Sequence, residues 1–553
     1  MPDDTRMKTN ENASARLGLP ALLALLSSPL LACAQVPFCE DLPGQCLADE
    51  ETGDAVAGEE TDGVGESGDG AGGSETGPVG ETEETSGLED DMGSEETSSS
   101  EETSSSEETS SSEETSSSEE EDTGTPSACG DGEVQGGEEC DDGNVVDGDG
   151  CDNDCTFTAV AALSLGDHTC ALIDGGRVRC WGRNSNGQLG LGHTDHIGDD
   201  ELLSDAGDLL LPAPPTAISL GWVHTCALFD DGDVGCWGNN GYGQLGNGGF
   251  DHYGDDETLA DLEGLGFSSV IDVQLGSFHT CALLDDGTVT CWGYNSYGQL
   301  GYGNTSNLNS PGGSLSLGGA AIKLAVGSGH TCALLENHDV RCWGLNNYGQ
   351  LGLGHTNNIG DDELPSSQDP VSLGLPPDTE VVDLELGGNL TCALLSDGGV
   401  MCWGRNSTGQ LGLGHTNHIG DNELPSTQPP VSLPDAVEQL ALGNTGNIIG
   451  GYHTCALLTG GEVLCWGEND DGQLGLGHTN NIGDDELPSE AGFVELGGSA
   501  IAIAAGYNHT CALLENHDVR CWGRNGYGQL GLGHTNSIGD DELPVDVDPV
   551  SVF

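Results

Sequence analysis

The sequence predicts an all-β fold, a seven-bladed β-propeller over residues 156–553, preceded by a disordered acidic linker and a small disulfide-rich module. Three observations predict it: one pattern recurs from Leu163 onward, each copy carries a pair of cysteines, and the seven copies are spaced 51 to 63 residues apart. A repeat of this length with several short strands is what a propeller blade requires, because one blade cannot bury its faces alone and its neighbours must cover them.

Composition separates folded from unfoldable parts. Only 35% of the 553 residues are apolar and Gly fills 91 positions, too lean for one continuous core. Acidic residues outnumber basic ones 94 to 11, for a net charge of -83. Phosphate recognition would have almost no cations to rest on, which argues against a nucleic-acid partner.

Residues 1–32 read as a signal peptide: a weakly basic start from Arg6 to Arg16, an apolar run from Leu17 through Leu31, then Ala32-Cys33. The ending Leu30-Leu31-Ala32-Cys33 resembles the bacterial lipobox. That resemblance implies acylation of Cys33 and a membrane-tethered chain at the cell envelope, on the outer membrane or cell surface, with about 0.8 kcal/mol gained per buried CH₂. Pro20 and Pro29 interrupt the run, and an ordinary secretory signal with Cys33 as a spare thiol is the competing reading. Export allows cysteines to pair, and setting Cys33 aside leaves 20 of the 21, an even number. Within the anchor segment, residues 33–46, Cys39 and Cys46 can close a small loop.

Residues 47–127 are nearly all Glu, Asp, Gly, Ser and Thr, with four tandem copies of Glu-Glu-Thr-Ser-Ser-Ser beginning at Glu95. Such a stretch buries too little apolar surface to offset its chain entropy, and its like charges extend it into a stalk. Gly68 to Gly73 fits a G-x-G-x-x-G spacing, but no strand precedes it and no helix follows, so it is a chance match.

Residues 128–155 hold Cys129, Cys140, Cys151 and Cys155 in Cys-Gly-Asp-Gly, Glu-x-Cys-Asp-Asp-Gly-Asn and Asp-Gly-Asp-Gly-Cys blocks. They resemble the myxobacterial cysteine-rich repeat; four cysteines allow three pairings, and the sequence does not choose among them. Asp141, Asp142, Asp147 and Asp149 invite a Ca²⁺ reading, but an EF-hand begun at Asp147 would need ligands where Cys151 and Thr158 stand. Acidic turns pinned by disulfides are the simpler reading.

The propeller cysteines pair by position: Cys170 with Cys180, Cys226 with Cys236, Cys281 with Cys291, Cys332 with Cys342, Cys392 with Cys402, Cys455 with Cys465 and Cys511 with Cys521. Cys281, Leu283, Val289 and Cys291 share parity around a turn near Asp286, so they face one side of a hairpin with the cysteines opposite each other. A cross-strand pair at about 4.5–5.5 Å between Cα atoms can be bridged; each disulfide would stabilise its blade by about 2–3 kcal/mol. Buried free thiols are the alternative.

Gly-x-x-His-Thr, Asp-Gly-x-Val, Trp-Gly-x-Asn and Gly-Gln-Leu-Gly, as at Gly298 to Gly301, recur through the copies. In these marks the chain resembles the regulator of chromosome condensation repeat family, whose members form seven-bladed propellers with mainly structural glycines. Val550-Ser-Val-Phe553 matches a strand start such as Val371-Ser-Leu373, and Ala159 to Leu165 supplies a complementary piece. The propeller is therefore expected to close by pairing its two ends, leaving no free edge and a monomer.

Six copies carry an acidic loop after Gly-Gln-Leu-Gly: Asp361, Asp362, Glu363; Asp484, Asp485, Glu486; Asp540, Asp541, Glu542; with Asp199, Asp200, Glu201; Asp421, Glu423; and Asp255, Asp256, Glu257 as variants. These carboxylates admit Ca²⁺, yet the ion takes six to eight oxygens and one loop offers too few; loop capping is the competing role, and no other cofactor is expected. The His before Thr-Cys recurs at His168, His224, His279, His330, His453 and His509, with Leu390 in the fifth copy; such regularity points to structural hydrogen bonding. No motif of an enzyme appears. The irregular segments Asn444 to Gly450, Phe250 to Tyr253 and Tyr302 to Pro311 are where a partner would be distinguished. The expected function is an envelope lipoprotein presenting a propeller to a protein or glycan. The alternative, implied by the family, is an inhibitor of an envelope or secreted enzyme; guanine-nucleotide exchange does not fit an exported chain.

Overall fold

The computed structural model describes Cys151, residues 158–443 and residues 452–553. The signal peptide, anchor, linker, most of the cysteine-rich module and the Asn444 to Gly450 insertion lie outside the described residues. Cys151 is buried and disulfide-bonded.

Seven three-stranded antiparallel sheets follow one another along the chain. In blade one the inner strand is Val160–Leu165, the middle strand His168–Ile173 and the outer strand Arg177–Gly182. The alternation read from blade three holds: Cys281 stands opposite Cys291, Leu283 opposite Val289 and Thr280 opposite Trp292. All seven cysteine pairs are disulfides with Cα atoms 4.1 Å apart. The middle strand is sandwiched, so His-Thr-Cys-Ala-Leu is buried along its length instead of alternating.

Aromatic residues are only 5% of the chain, yet Trp181, Trp237, Trp292, Trp343, Trp403, Trp466 and Trp522 are all 0% exposed at one place in each blade. Each joins its blade to the previous repeat. The Trp237 indole N–H donates to the Gln188 carbonyl at 3.0 Å, and the same carbonyl accepts from the Thr225 hydroxyl at 2.9 Å. That hydroxyl has spent its one proton, so its lone pair accepts from His168 Nε2–H, 2.7 Å away in blade one. His, Thr, Gln carbonyl and Trp form one latch across six of the seven blade boundaries, and Thr, Gln carbonyl and Trp alone form it where Leu390 replaces the histidine.

Closure differs from the end-pairing that the sequence suggests. The Val550 N–H donates to the Val519 carbonyl at 2.8 Å, inside the last blade, just as Val371 does to Val340 at 2.9 Å. The first inner strand pairs within its own blade. The ring shuts with the latch used at five other boundaries: His509 meets Thr169 at 2.9 Å, while the Gln529 carbonyl takes the Thr169 hydroxyl at 2.9 Å and Trp181 at 3.0 Å. The terminal peptide takes one backbone hydrogen bond in its own blade, and its Val552 carbonyl accepts from the Arg179 guanidinium of blade one; the Gly-Gln-Leu-Gly loops supply a joint at every boundary.

The glycine of Gly-x-x-His lies where inner strands converge. A Cβ on Gly276 would come within 2.3 Å of the His279 ring and 2.7 Å of the Gly327 carbonyl. Only hydrogen fits there.

Candidate functional site

The His–Thr bonds circulate around the propeller at 2.7–3.2 Å from His168, His224, His279, His330, His453 and His509. They break once, at Leu390. Burial holds His168, His224, His279 and His330 at about 3 and His509 at about 4, so each ring is neutral; His168, His224 and His279 donate through Nε2, while His509 also sets its Nδ1 3.2 Å from the Tyr507 carbonyl. A neutral, enclosed donor is a structural group, as its regularity indicates.

The acidic loops are joints as well. A Cβ on Gly298 would lie 2.3 Å from the Asp361 amide nitrogen, and one on Gly528 would lie 2.3 Å from that of Asp199, so each loop packs its backbone against the Gly-Gln-Leu-Gly turn of the preceding repeat. Within the five complete loops three carboxylate oxygens come within 4.8 Å of one another, against the six to eight that Ca²⁺ takes. In the loop of Asp421 and Glu423, Asn422 donates to Asp421 at 3.0 Å. Burial, the hydrogen bond with Asp362 and the Asp361 charge push Glu363 up to about 7. The structure keeps the loops apart, one at each of six boundaries, rather than bringing their carboxylates together.

Of the irregular segments, Phe250 is 58% exposed. The one beginning at Tyr302 is tied down: its hydroxyl accepts from the Cys291 amide at 3.1 Å and donates to the Gly313 carbonyl at 2.8 Å.

A surface that the repeat pattern concealed runs across the end where inner strands finish. It is built from the free positions in Gly-x-x-His and the positions after Trp-Gly. Tyr507 and Tyr527 hold Arg524, whose guanidinium lies 5.2 and 5.8 Å from their rings. Arg183 follows, 5.1 Å from Tyr527 and 5.8 Å from Trp222. Its partner is the buried Asp167 carboxylate at 2.6 Å, which also accepts from the Trp222 indole at 3.3 Å. Trp222 then meets Phe278 edge-on at 5.3 Å, Phe278 meets Tyr242 at 5.0 Å, and Tyr242 meets Tyr294 at 4.8 Å. Blades two, three and seven contribute two of these rings each and blade one the Arg183–Asp167 pair, so no local motif reveals them; the signal is variability at fixed places in the repeat.

This chain matches the RCC1-like domain over residues 122–445 and the Regulator of chromosome condensation (RCC1) repeat over residues 460–513 and 500–529. It is 30% identical to the ultraviolet-B receptor UVR8 of Arabidopsis thaliana, over 71% of this chain and 82% of that protein. It is also 30% identical to the E3 ubiquitin-protein ligase HERC2 of Mus musculus, over 62% of this chain but only 7% of that protein, so the ligase name describes a far longer molecule. Yeast RCC1 (Prp20), solved bound to Kap60, superposes with a TM-score of 0.53 at 20% identity, covering 70% of this chain and 84% of that one; at that identity the likeness is one of fold. The repeats, the latched ring and these matches agree: the chain belongs to the RCC1-like domain family.

Proposed function

We propose that this chain is a cell-envelope binding protein whose propeller docks a protein partner on the face running from Tyr507 to Tyr294. The observation that carries the reading is the continuous line of rings and guanidiniums there, with Trp222, Tyr242, Tyr294 and Tyr527 half-buried and Phe278 and Tyr507 buried as braces between them. Aromatic residues and Arg dominate the binding energy of protein interfaces, and rings already braced by neighbours lose little freedom on docking. Support for the class comes from relatives: the yeast propeller was solved bound to Kap60, and UVR8 is named a receptor. Support for the place comes from the sequence alone, in Cys33 after an apolar run and in the charged stalk that would hold the propeller away from the membrane.

The mature full-length chain, crosslinked on envelope preparations, is expected to retain a partner that the Trp222→Ala/Tyr294→Ala double variant loses by more than about tenfold, the effect of removing one strong contact of about 1.4 kcal/mol. Phe250→Ser, on a separate loop, is expected to keep it. Equal retention by the double variant would reject this face, and an unmodified Cys33 in the mature protein's mass spectrum would reject the anchor.

A further inference from the structure

Every basic side chain among the described residues but two has an acid or a carbonyl to hold. Arg177 and Arg179 take Asp208 at 3.2 and 2.7 Å, Lys323 takes Asp383 at 2.6 Å, Arg341 and Arg520 donate to the Gln368 and Val547 carbonyls, and Arg183 takes Asp167. Arg405 and Arg524 have neither. Arg405 spends only its Nε, on the Ser407 hydroxyl at 2.9 Å. Acids are not scarce, at 94 against 11 basic residues, so the lack is local.

Arg183, Arg405 and Arg524 all follow Trp-Gly, so they stand on the same end of the propeller, and each lies against two rings. Arg405 is 5.2 Å from Tyr348 and 4.2 Å from Tyr452, as Arg183 is set against Tyr527 and Trp222, and Arg524 against Tyr507 and Tyr527. What differs is the residue just before the histidine's place: Asp167 in blade one, Asn389 in blade five and Asn508 in blade seven. Asn389 accepts from Gln350 and donates to the Tyr452 hydroxyl, both at 3.1 Å, and Asn508 donates to Asp471 at 2.6 Å; neither amide bonds the guanidinium. Glu468, which follows Trp-Gly in blade six, is 7% exposed and accepts the Tyr452 N–H at 3.0 Å.

Rings hold a guanidinium by its faces, while its N–H donors lie in its plane. Stacking therefore fixes the fork without using it. Both arginines are half-buried, so part of each fork meets solvent, where a carboxylate can close on it as Asp167 does on Arg183. A phosphate group is better served by clustered cations, and these two forks stand in separate blades. The acid-rich remainder of the surface repels an acidic partner, which leaves this end as its place of docking and sets orientation more than affinity.

We propose that Arg405 and Arg524 each bind a carboxylate on an acidic segment of the protein that docks at this end, which rests on the docking face proposed above. The full mature chain, carrying isotope-labelled arginine for NMR, is titrated with a capped Gly-Glu-Gly-Glu-Gly peptide, with its Gln counterpart and with inorganic phosphate. The side-chain signals of Arg405 and Arg524 are expected to move and saturate with the Glu peptide, and the Gln peptide to bind at least about tenfold more weakly, as loss of a charge-assisted contact does. Those of Arg341 and Arg520, committed to carbonyls, are expected to stay. Asp167→Asn, which gives blade one the amide that blades five and seven already carry, is expected to make Arg183 respond as well, a gain that misfolding cannot imitate. Silence of Arg405 and Arg524, an equal response to the Gln peptide, a tighter response to phosphate, equal movement of Arg341 and Arg520, or a silent Arg183 in Asp167→Asn would overturn the proposal. The probe needs neither Trp222 nor Tyr294. Silent arginines with the partner lost by the Trp222→Ala/Tyr294→Ala variant would reject the carboxylate sites alone, and responding arginines with the partner kept by that variant would reject the aromatic line alone.

Discussion

The two ends of the inner strands share one backbone and differ in every other respect. Where the strands finish, the histidine before Thr-Cys meets the next blade's Thr in six of seven blades, and the histidines are neutral, enclosed and interchangeable. Where they begin, equivalent places hold Ala, Asp, Lys or Gln according to the blade, and charges concentrate in blades three to five. Repetition marks what closes a ring, because each boundary poses the same packing problem. Departure from repetition marks what a ring is free to do with the space inside it.

The sharpest contrast is steric. Gly276→Ala puts a methyl group into the His279 ring and the Gly327 carbonyl, an overpacking expected to cost about 3 kcal/mol. Ala162→Ser, at the wide end on a half-buried site, is expected to stay within about 0.5 kcal/mol. Urea midpoints of the two variants measure the difference; equal midpoints would mean that the finishing end is no tighter than the beginning.

What could be read in advance follows the same division. The seven blades, the cysteine partners and the structural role of the histidines were legible because each is stated several times over; Cys281 opposite Cys291 needs only the parity of one hairpin. Neither the aromatic face nor the charge pair between blades four and five is stated anywhere along the chain. Trp222 and Phe278, or Lys323 and Asp383, lie in different blades and meet only after the ring has assembled. Closure was misread for a related reason: Val550 resembles other strand starts because it makes their bond, in its own blade.

Acid distinguishes the ends by sign. The ring histidines have folded values near 3 to 4, below the ordinary 6.5, so the unfolded chain binds the protons first. Their contribution is complete above about pH 6.5 and falls by about 1.4 kcal/mol per pH unit per histidine as pH drops toward those values. Burial raises Glu385 and Asp272 on the inner strands of blades five and three; the folded chain protonates these first, and their destabilising charge is relieved as pH falls. Unfolding free energies measured at about pH 7 and about pH 5 should therefore show His330→Leu flattening the acid loss and Glu385→Gln steepening it. Shifts of the same sign in both variants would remove the distinction.

The smallest effect asks whether the one break in the ring is a defect or a tolerated variation. Leu390 is fully buried beneath Gly387, where other blades place the imidazole beneath its glycine, and a Cβ on Gly387 would come within 2.7 Å of the leucine side chain. Across the boundary the Thr454 hydroxyl donates to the Gln410 carbonyl at 3.0 Å, leaving a lone pair for an Nε2–H. Leu390→His would add a hydrogen bond of about 1 kcal/mol and give up leucine burial of about 1.5–3 kcal/mol, part of which the imidazole replaces. At neutral pH the two nearly offset, and the variant should lie within about 1 kcal/mol of the parent. At about pH 5 a seventh buried neutral histidine should cost about 1.4–2 kcal/mol more, because the unfolded chain gains one further proton. Parallel loss at both values of pH would show that a histidine here does not join the ring as a neutral donor, and that the leucine seals this boundary by packing alone.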